Sequence, residues 1–217
     1  MPDSTAPHTA EPRPPVNPWL LTPHHPAQER PGPQPPQRDV RQLPGTVAPP
    51  AEMLPWHPQP PPDPQDWRQR LWWMGVHGGA GTSTLAGLFP GSVDAGRAWP
   101  NPAPPQRAAV VLVARTNSAG LLWASRAAAQ WAAGWVPPST TLLGLVWVAD
   151  TPKRAKELES RRRVISGALP RTWEVPWVEP WRLGHTVRFD DLPAAVRRMA
   201  ADIAGLAHVP APGSPGS

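Results

Sequence analysis

Residues 76–84 read VHGGAGTST and bring together residue types that can cradle an anion. Gly78, Gly79 and Gly81 permit a tight turn that aims successive backbone N–H groups at one point. Ala80 completes the turn. Thr82, Ser83 and Thr84 add hydroxyls, and Ser83 stands where it would meet a magnesium-bound phosphate. His77, when protonated, would add another donor; its plainer reading is a turn histidine hydrogen-bonded locally. A helix opening at this point would add its positive end. The chemistry on offer is the binding of phosphate. The competing reading is a turn shaped for close strand–helix packing, with Thr82 as a simple N-cap.

A phosphate-binding turn belongs at the carboxyl end of a strand in an open α/β sheet. RLWWMGV (70–76) is apolar and aromatic and supplies that strand. AAVVLVA (108–114) and TLLGLVWVA (141–149) are continuous apolar runs, the pattern of strands buried on both faces. Between them, in 118–135, Leu121, Ala124, Ala128, Trp131 and Trp135 recur at helical spacing. Asn117 or Ser118 would cap that helix, and Gly134 with Pro137 would end it. A second helix is predicted at 153–169, with Leu158, Ile165 and Leu169 facing inward. Its pairs Glu157–Arg161 and Glu159–Arg163 have the favourable i, i+4 orientation. WEVPWVEPW (173–181) predicts a proline-broken edge strand. Residues 190–206 predict a last helix, capped by Asp190 or Asp191, with Pro193 in its first turn. Trp123, Trp131, Trp135 and Trp147 fall on inward positions. Asp150, just past the run 141–149, joins the candidate site as a strand-end carboxylate. A solvated aspartate or a cap for the next helix is its plainer reading. Strands alternating with helices specify an α/β fold, a small parallel sheet of about four strands with flanking helices.

HGGAGTST resembles the deviant P-loop of the ParA/MinD family of partitioning and positioning ATPases, whose pattern is Lys-Gly-Gly-x-Gly-Lys-Thr/Ser-Thr. Gly78, Gly79, Gly81, Ser83 and Thr84 match it. Weaker similarity extends over most of 70–206, through the runs 110–131, 142–154 and 173–184 and the last helix. The resemblance implies a P-loop NTPase-like domain that binds ATP or another nucleotide with Mg²⁺, with Ser83 at the metal, and that can form a homodimer. The departures are specific. His77 replaces the signature lysine, Thr82 replaces the Walker A lysine, and Val76 replaces the leading glycine. The strand 108–114 ends in Ala114 and Arg115 rather than in aspartate, leaving Asp94 as a candidate substitute. Residues 91–107 read as a long unstructured loop, either a lid or a remnant.

Each lost charge-assisted bond to phosphate costs about 1.5–3 kcal/mol, roughly ten- to a hundred-fold in affinity. Turnover suffers more, since one lost preorganised donor slows a reaction about 10²–10³-fold. The expectation is a catalytically degenerate nucleotide-binding protein, a pseudo-ATPase accessory that acts through a partner. One alternative is an active divergent ATPase using His77 or an arginine such as Arg115 in place of lysine. Another is a non-nucleotide interaction module whose N-terminal arm is the ligand.

That arm is defined by composition. Of the 36 prolines, 21 precede Trp67, and each removes a donor and fixes φ, so regular structure does not propagate there. The expected organisation is a disordered proline-rich arm (1–66), the α/β domain (67–208) and a loose tail (209–217). Trp19, Leu20 and Leu21 form an apolar island, either a chance cluster in a disordered tail or a short motif that docks a protein partner. MLPW (53–56) is a weaker one. The chain has no cysteine, so thiolate metal sites and disulfides are excluded. No signal peptide or membrane span is read, and a cytoplasmic location is expected. The net charge of +5 is scattered. Arg161, Arg162 and Arg163 alternate with glutamates as on a solvated helix face, which argues against direct nucleic-acid binding.

Overall fold

The three long apolar runs form the middle of one parallel sheet. None has a charged residue between its ends, so each can be covered on both faces. The computed structural model describes residues 52–60, 69–153, 156–209 and 212. In chain order the elements are β1 (Gln69–Gly75), α1 (Thr82–Ala86), β2 (Val93–Asp94), β3 (Arg107–Arg115), α2 (Ser118–Ala132), β4 (Thr140–Val148), α3 (Lys156–Gly167), β5 (Thr172–Val175), α4 (Glu179–Arg182) and α5 (Ala194–Ala207). A 3₁₀ turn at Phe189–Asp191 precedes α5. The strands lie in the order β2-β1-β3-β4-β5, all parallel. This is the expected α/β architecture with one strand more than expected.

The helices cover both faces. On one, Leu121 and Ala124 of α2 and Ile165 of α3 pack against Leu112 and Trp147. On the other, Leu85 of α1 and Val196 and Ile203 of α5 pack against Val111, Val146 and Val175. From β1 the chain steps to β2 on one side and then to β3 on the other. The order in which strands are added therefore reverses at β1, which opens a crevice at the carboxyl edge between β1 and β3. The glycine turn leaves β1 there, and Arg115 ends β3 beside it.

Several local expectations are corrected. Residues 91–107 are packed rather than unstructured. Val93 and Asp94 pair with Trp72 and Trp73, and Ala95 and Trp99 are buried. A two-residue strand carries no periodicity, so the sequence could not signal it. The proline-broken edge strand expected at 173–181 is present as β5 at the sheet's edge, cut short before Pro176, which lacks the N–H that would extend the ladder. Asp190 and Asp191 sit in the 3₁₀ turn, and Pro193 occupies the N-cap position of α5. On α3, Arg162 bonds Glu159 one turn back and reaches Glu174 on β5. Hydrogen bonding to Glu159 is the largest influence on its guanidinium. Together with Glu174, and against the effect of burial, it holds the Arg162 pKa above its ordinary value.

The stretch 52–60, assigned by composition to the arm, lies against the domain. Leu54 is buried among Trp99, Leu121 and Ala128, and Trp56 pairs with Trp99. Two apolar side chains and a row of backbone hydrogen bonds offset the conformational cost that its prolines already reduce. Among the described residues no helix is long and apolar enough to cross a membrane.

Candidate functional site

The glycine turn is shaped by backbone conformations that side chains resist. Gly79 has φ +70° and Gly81 has φ +103°, a region that costs an L-residue about 1–2 kcal/mol. A side chain at Gly78 or Gly79 would meet nothing within 4 Å, so the outer face of the turn is open. Gly78 and Gly79 form a tight turn, and among the described residues no acceptor in good hydrogen-bond geometry meets the N–H groups of Gly78, Gly79, Gly81, Thr82, Ser83 and Thr84. Buried Ala80 anchors the turn from below. Thr82 opens α1, but that helix has only five residues. It aligns few peptide dipoles, so the helix-end contribution expected from the sequence is small.

Ser83 donates its hydroxyl to Asp94 Oδ2 at 2.6 Å. Asp94 is held for this contact, because Oδ1 accepts from Gly96 N–H at 2.8 Å and the residue pairs with Trp73 in the ladder. The hydroxyl–carboxylate pair therefore stands at the rim of the glycine turn, on the strand next to β1. These are hard oxygen donors of the kind magnesium takes. Thr84 is exposed beside them and lines a small cleft of about 110 Å³ with Gly81, Arg115, Trp177, Trp181 and Arg182.

His77 is used elsewhere. Its Nε2 accepts from the Arg115 backbone N–H at 3.0 Å, and its Nδ1 donates to Gly78 O at 2.8 Å. Both ring nitrogens are engaged, so in this arrangement His77 braces the turn against β3 and offers no donor to a phosphate. The cation at the turn is Arg115. Its Nε donates to Gly79 O at 2.7 Å, and Nη1 lies 3.5 Å from Asp150 Oδ1. Gly120 of α2 makes this placement feasible, because a Cβ there would fall 2.0 Å from Arg115 O.

Asp150 follows β4 and stands well ahead of α3, so it is not that helix's cap. Besides Arg115 it engages Thr116, whose hydroxyl accepts from Asp150 N–H at 3.1 Å. It also lines a larger cavity of about 410 Å³, together with Asn117, Leu121, Trp147, Arg162 and Trp177. The structure thus brings His77, the 78–84 turn, Arg115 and Asp150 to one edge, with Asp150 linked to the turn through Arg115. Trp19, Leu20 and Leu21 lie outside the described residues.

Sequence reasoning underrated Arg115 and passed over Gln130, a glutamine buried on α2. The signal for Arg115 was its position at the end of a fully buried strand, beside the turn. The signal for Gln130 was a polar residue on the apolar stripe of a helix.

An open parallel α/β sheet with a glycine turn and a hydroxyl–carboxylate pair at its carboxyl edge is the class of protein these observations define. The chain belongs to the family of unknown function DUF6668, whose model matches residues 69–199. No curated protein matches the chain, and no solved structure does.

Proposed function

We propose that the 78–84 turn is a nucleotide phosphate site of the P-loop kind, similar to that of the ParA/MinD ATPases, and that the chain binds Mg·ATP or a related nucleotide with little turnover. The observation that carries this reading is the Ser83–Asp94 contact of 2.6 Å at the rim of the turn. A serine of the turn and an aspartate of the neighbouring strand are the pair that a magnesium–phosphate complex would use. Residues 78–84 would supply backbone donors to the phosphate oxygens, with Ser83 and Asp94 as the protein oxygens for the cation. A bound magnesium ion would neutralise phosphate charge. Residues of this kind fit the group, and the two absent lysines limit the turnover they can support.

With no lysine at position 77 or 82, the turn lacks two preorganised charges. Each such loss slows a reaction by about 10²–10³-fold while leaving part of the binding intact. A slow or inert nucleotide switch in the cytoplasm, read by a protein partner or by a second copy of the chain, fits that balance. Isothermal titration with ATP, ADP and GTP, with and without Mg²⁺, tests the reading. Binding should depend on Mg²⁺ and fall at least tenfold in Ser83→Ala and Asp94→Asn. No binding by the wild-type chain would refute it.

A second reading is favoured by Arg115, whose Nε lies 2.7 Å from Gly79 O. Turned from that carbonyl to a phosphate, the guanidinium would replace the missing lysine charge and support an active ATPase. Phosphate release above background that is lost in Arg115→Ala would select this reading over the inert one.

A further inference from the structure

Asp94 sits on a strand of two residues, too short to fix its own position. What holds it comes from both sides. On the inner side, β1 pairs with it: Ala95 N–H donates to Trp73 O at 2.8 Å, and Gly75 N–H donates to Gly96 O at 2.7 Å. On the outer side lies the segment 52–57, from the far end of the described chain. His57 Nε2 donates to Ala95 O at 2.8 Å. Trp99 N–H donates to Pro55 O at 2.8 Å, and His57 N–H donates to Trp99 O at 2.9 Å. The segment therefore pairs like a short extra strand with the turn that comes after Asp94.

Its opposite edge is fixed to α2. The buried Gln130 side chain accepts from Leu54 N–H at 2.9 Å and donates to Leu54 O at 3.0 Å, satisfying both backbone groups of one residue. The same amide donates to Trp135 O at 2.9 Å, which also accepts from Trp56 Nε1 at 3.3 Å. Glu52 pairs with Arg126 one turn earlier on the helix. Residues 52–57 thus bridge a long, well-packed helix and the turn that carries Asp94. A buried glutamine that matches both the N–H and the C=O of a single residue is a specific clamp. Without it those two groups would stay buried and unpaired.

We infer that residues 52–57 act as a positioning strap for Asp94, so that release of the strap from Gln130 loosens the Asp94 turn and weakens cation-dependent binding at the Ser83–Asp94 pair. Among the described residues no hydrogen bond joins the strap to the glycine turn, and the effect passes through Ala95 and Trp99. The first half of this inference stands on the contacts alone. The second half rests on reading the turn as a nucleotide site.

The test compares the full-length wild-type chain with Gln130→Ala, which removes the clamp, and His57→Ala, which removes only the bond to Ala95 O. Amide hydrogen exchange without ligand is measured first. In both variants the exchange of Ala95 and Gly96 should rise about tenfold, the scale of one lost hydrogen bond. Amides in the β3–β4 ladder should keep their wild-type rates. Titration should then show Mg·ATP affinity reduced about tenfold, while ATP in EDTA binds as it does to wild type, a split that a general loss of stability would not produce. Unchanged exchange at Ala95 and Gly96 in both variants would overturn the inference. So would raised exchange with undiminished Mg·ATP affinity. If wild type takes up no Mg·ATP, the nucleotide reading fails and exchange alone decides: raised rates support the strap, unchanged rates sink it. If Gln130→Ala does not fold, His57→Ala decides on the same terms.

Discussion

The two sides of the crevice are built on different principles. On one side stand β3, α2 and β4, two nine-residue strands and a fifteen-residue helix. Their shape arises from local pattern: apolar runs for the strands, an apolar stripe for the helix, Asn117 for the cap. The Asn117 side chain accepts from Gly120 N–H at 2.8 Å as that pattern requires. On the other side stand α1, of five residues, and β2, of two. Their placement depends on partners distant in sequence. Gly79 is met by Arg115, 36 residues on, and Ala95 by His57, 38 residues back. The contrast teaches that the regular half is set by local pattern, while the irregular half, which holds the proposed site, is set by long-range contacts. The irregular half is precise only as long as its long-range contacts hold.

Breaking the regular half should cost the most. Trp147 is buried at 1% exposure, and its indole N–H donates to Ser166 Oγ at 3.0 Å. Trp147→Ala should destabilise the domain by about 3–5 kcal/mol, read as a fall in the urea midpoint. Gly120→Ala drives a methyl group into Arg115 O. It should cost about 1–3 kcal/mol by the same measurement and should also displace Arg115 from Gly79, so binding at the turn weakens with stability. Gly81→Ala, at φ +103°, should cost about 1–2 kcal/mol yet affect Mg·ATP binding more than it affects the melt. Ser83→Ala sharpens the comparison furthest. Its side chain is exposed, so stability should stay within about 0.5 kcal/mol while Mg²⁺-dependent binding is lost. If Ser83→Ala lowered stability as much as Trp147→Ala, the division between the regular half and the half that holds the proposed site would be wrong.

The same division decided what the sequence could reveal. The strands around Trp73, Val111 and Val146 and the helix around Leu121 and Ala128 were readable, since apolar spacing is a local property. The glycine turn was readable because three glycines and three hydroxyl residues in a short stretch have few other uses. Asp94 could be raised as a candidate but not placed, since nothing local marks a two-residue strand. His77 is legible both as a phosphate donor and as a turn histidine bonded locally, and the structure shows the second. The acceptor role of its Nε2 is fixed by the backbone of Arg115, which no spacing rule connects to it. Residues 52–57 were hidden by the proline-rich composition around them, which signals a lack of regular structure but says nothing about packing. Their docking depends on Gln130, whose importance appears only when the two segments meet.

On the proposed reading, the amide groups of residues 78–84, with Ser83 and Asp94, receive a magnesium-bound phosphate. The most direct measurement is a titration of the ¹⁵N-labelled chain with Mg·ATP, monitored through backbone amide resonances. A phosphate seated in the turn predicts saturable shifts at Gly79, Gly81, Thr82 and Ser83 that are abolished by Asp94→Asn, with Gly134 and Gly167 unmoved. Resonances of the turn that stay fixed while those lining the larger cavity, such as Asn117 and Trp177, move instead would contradict it.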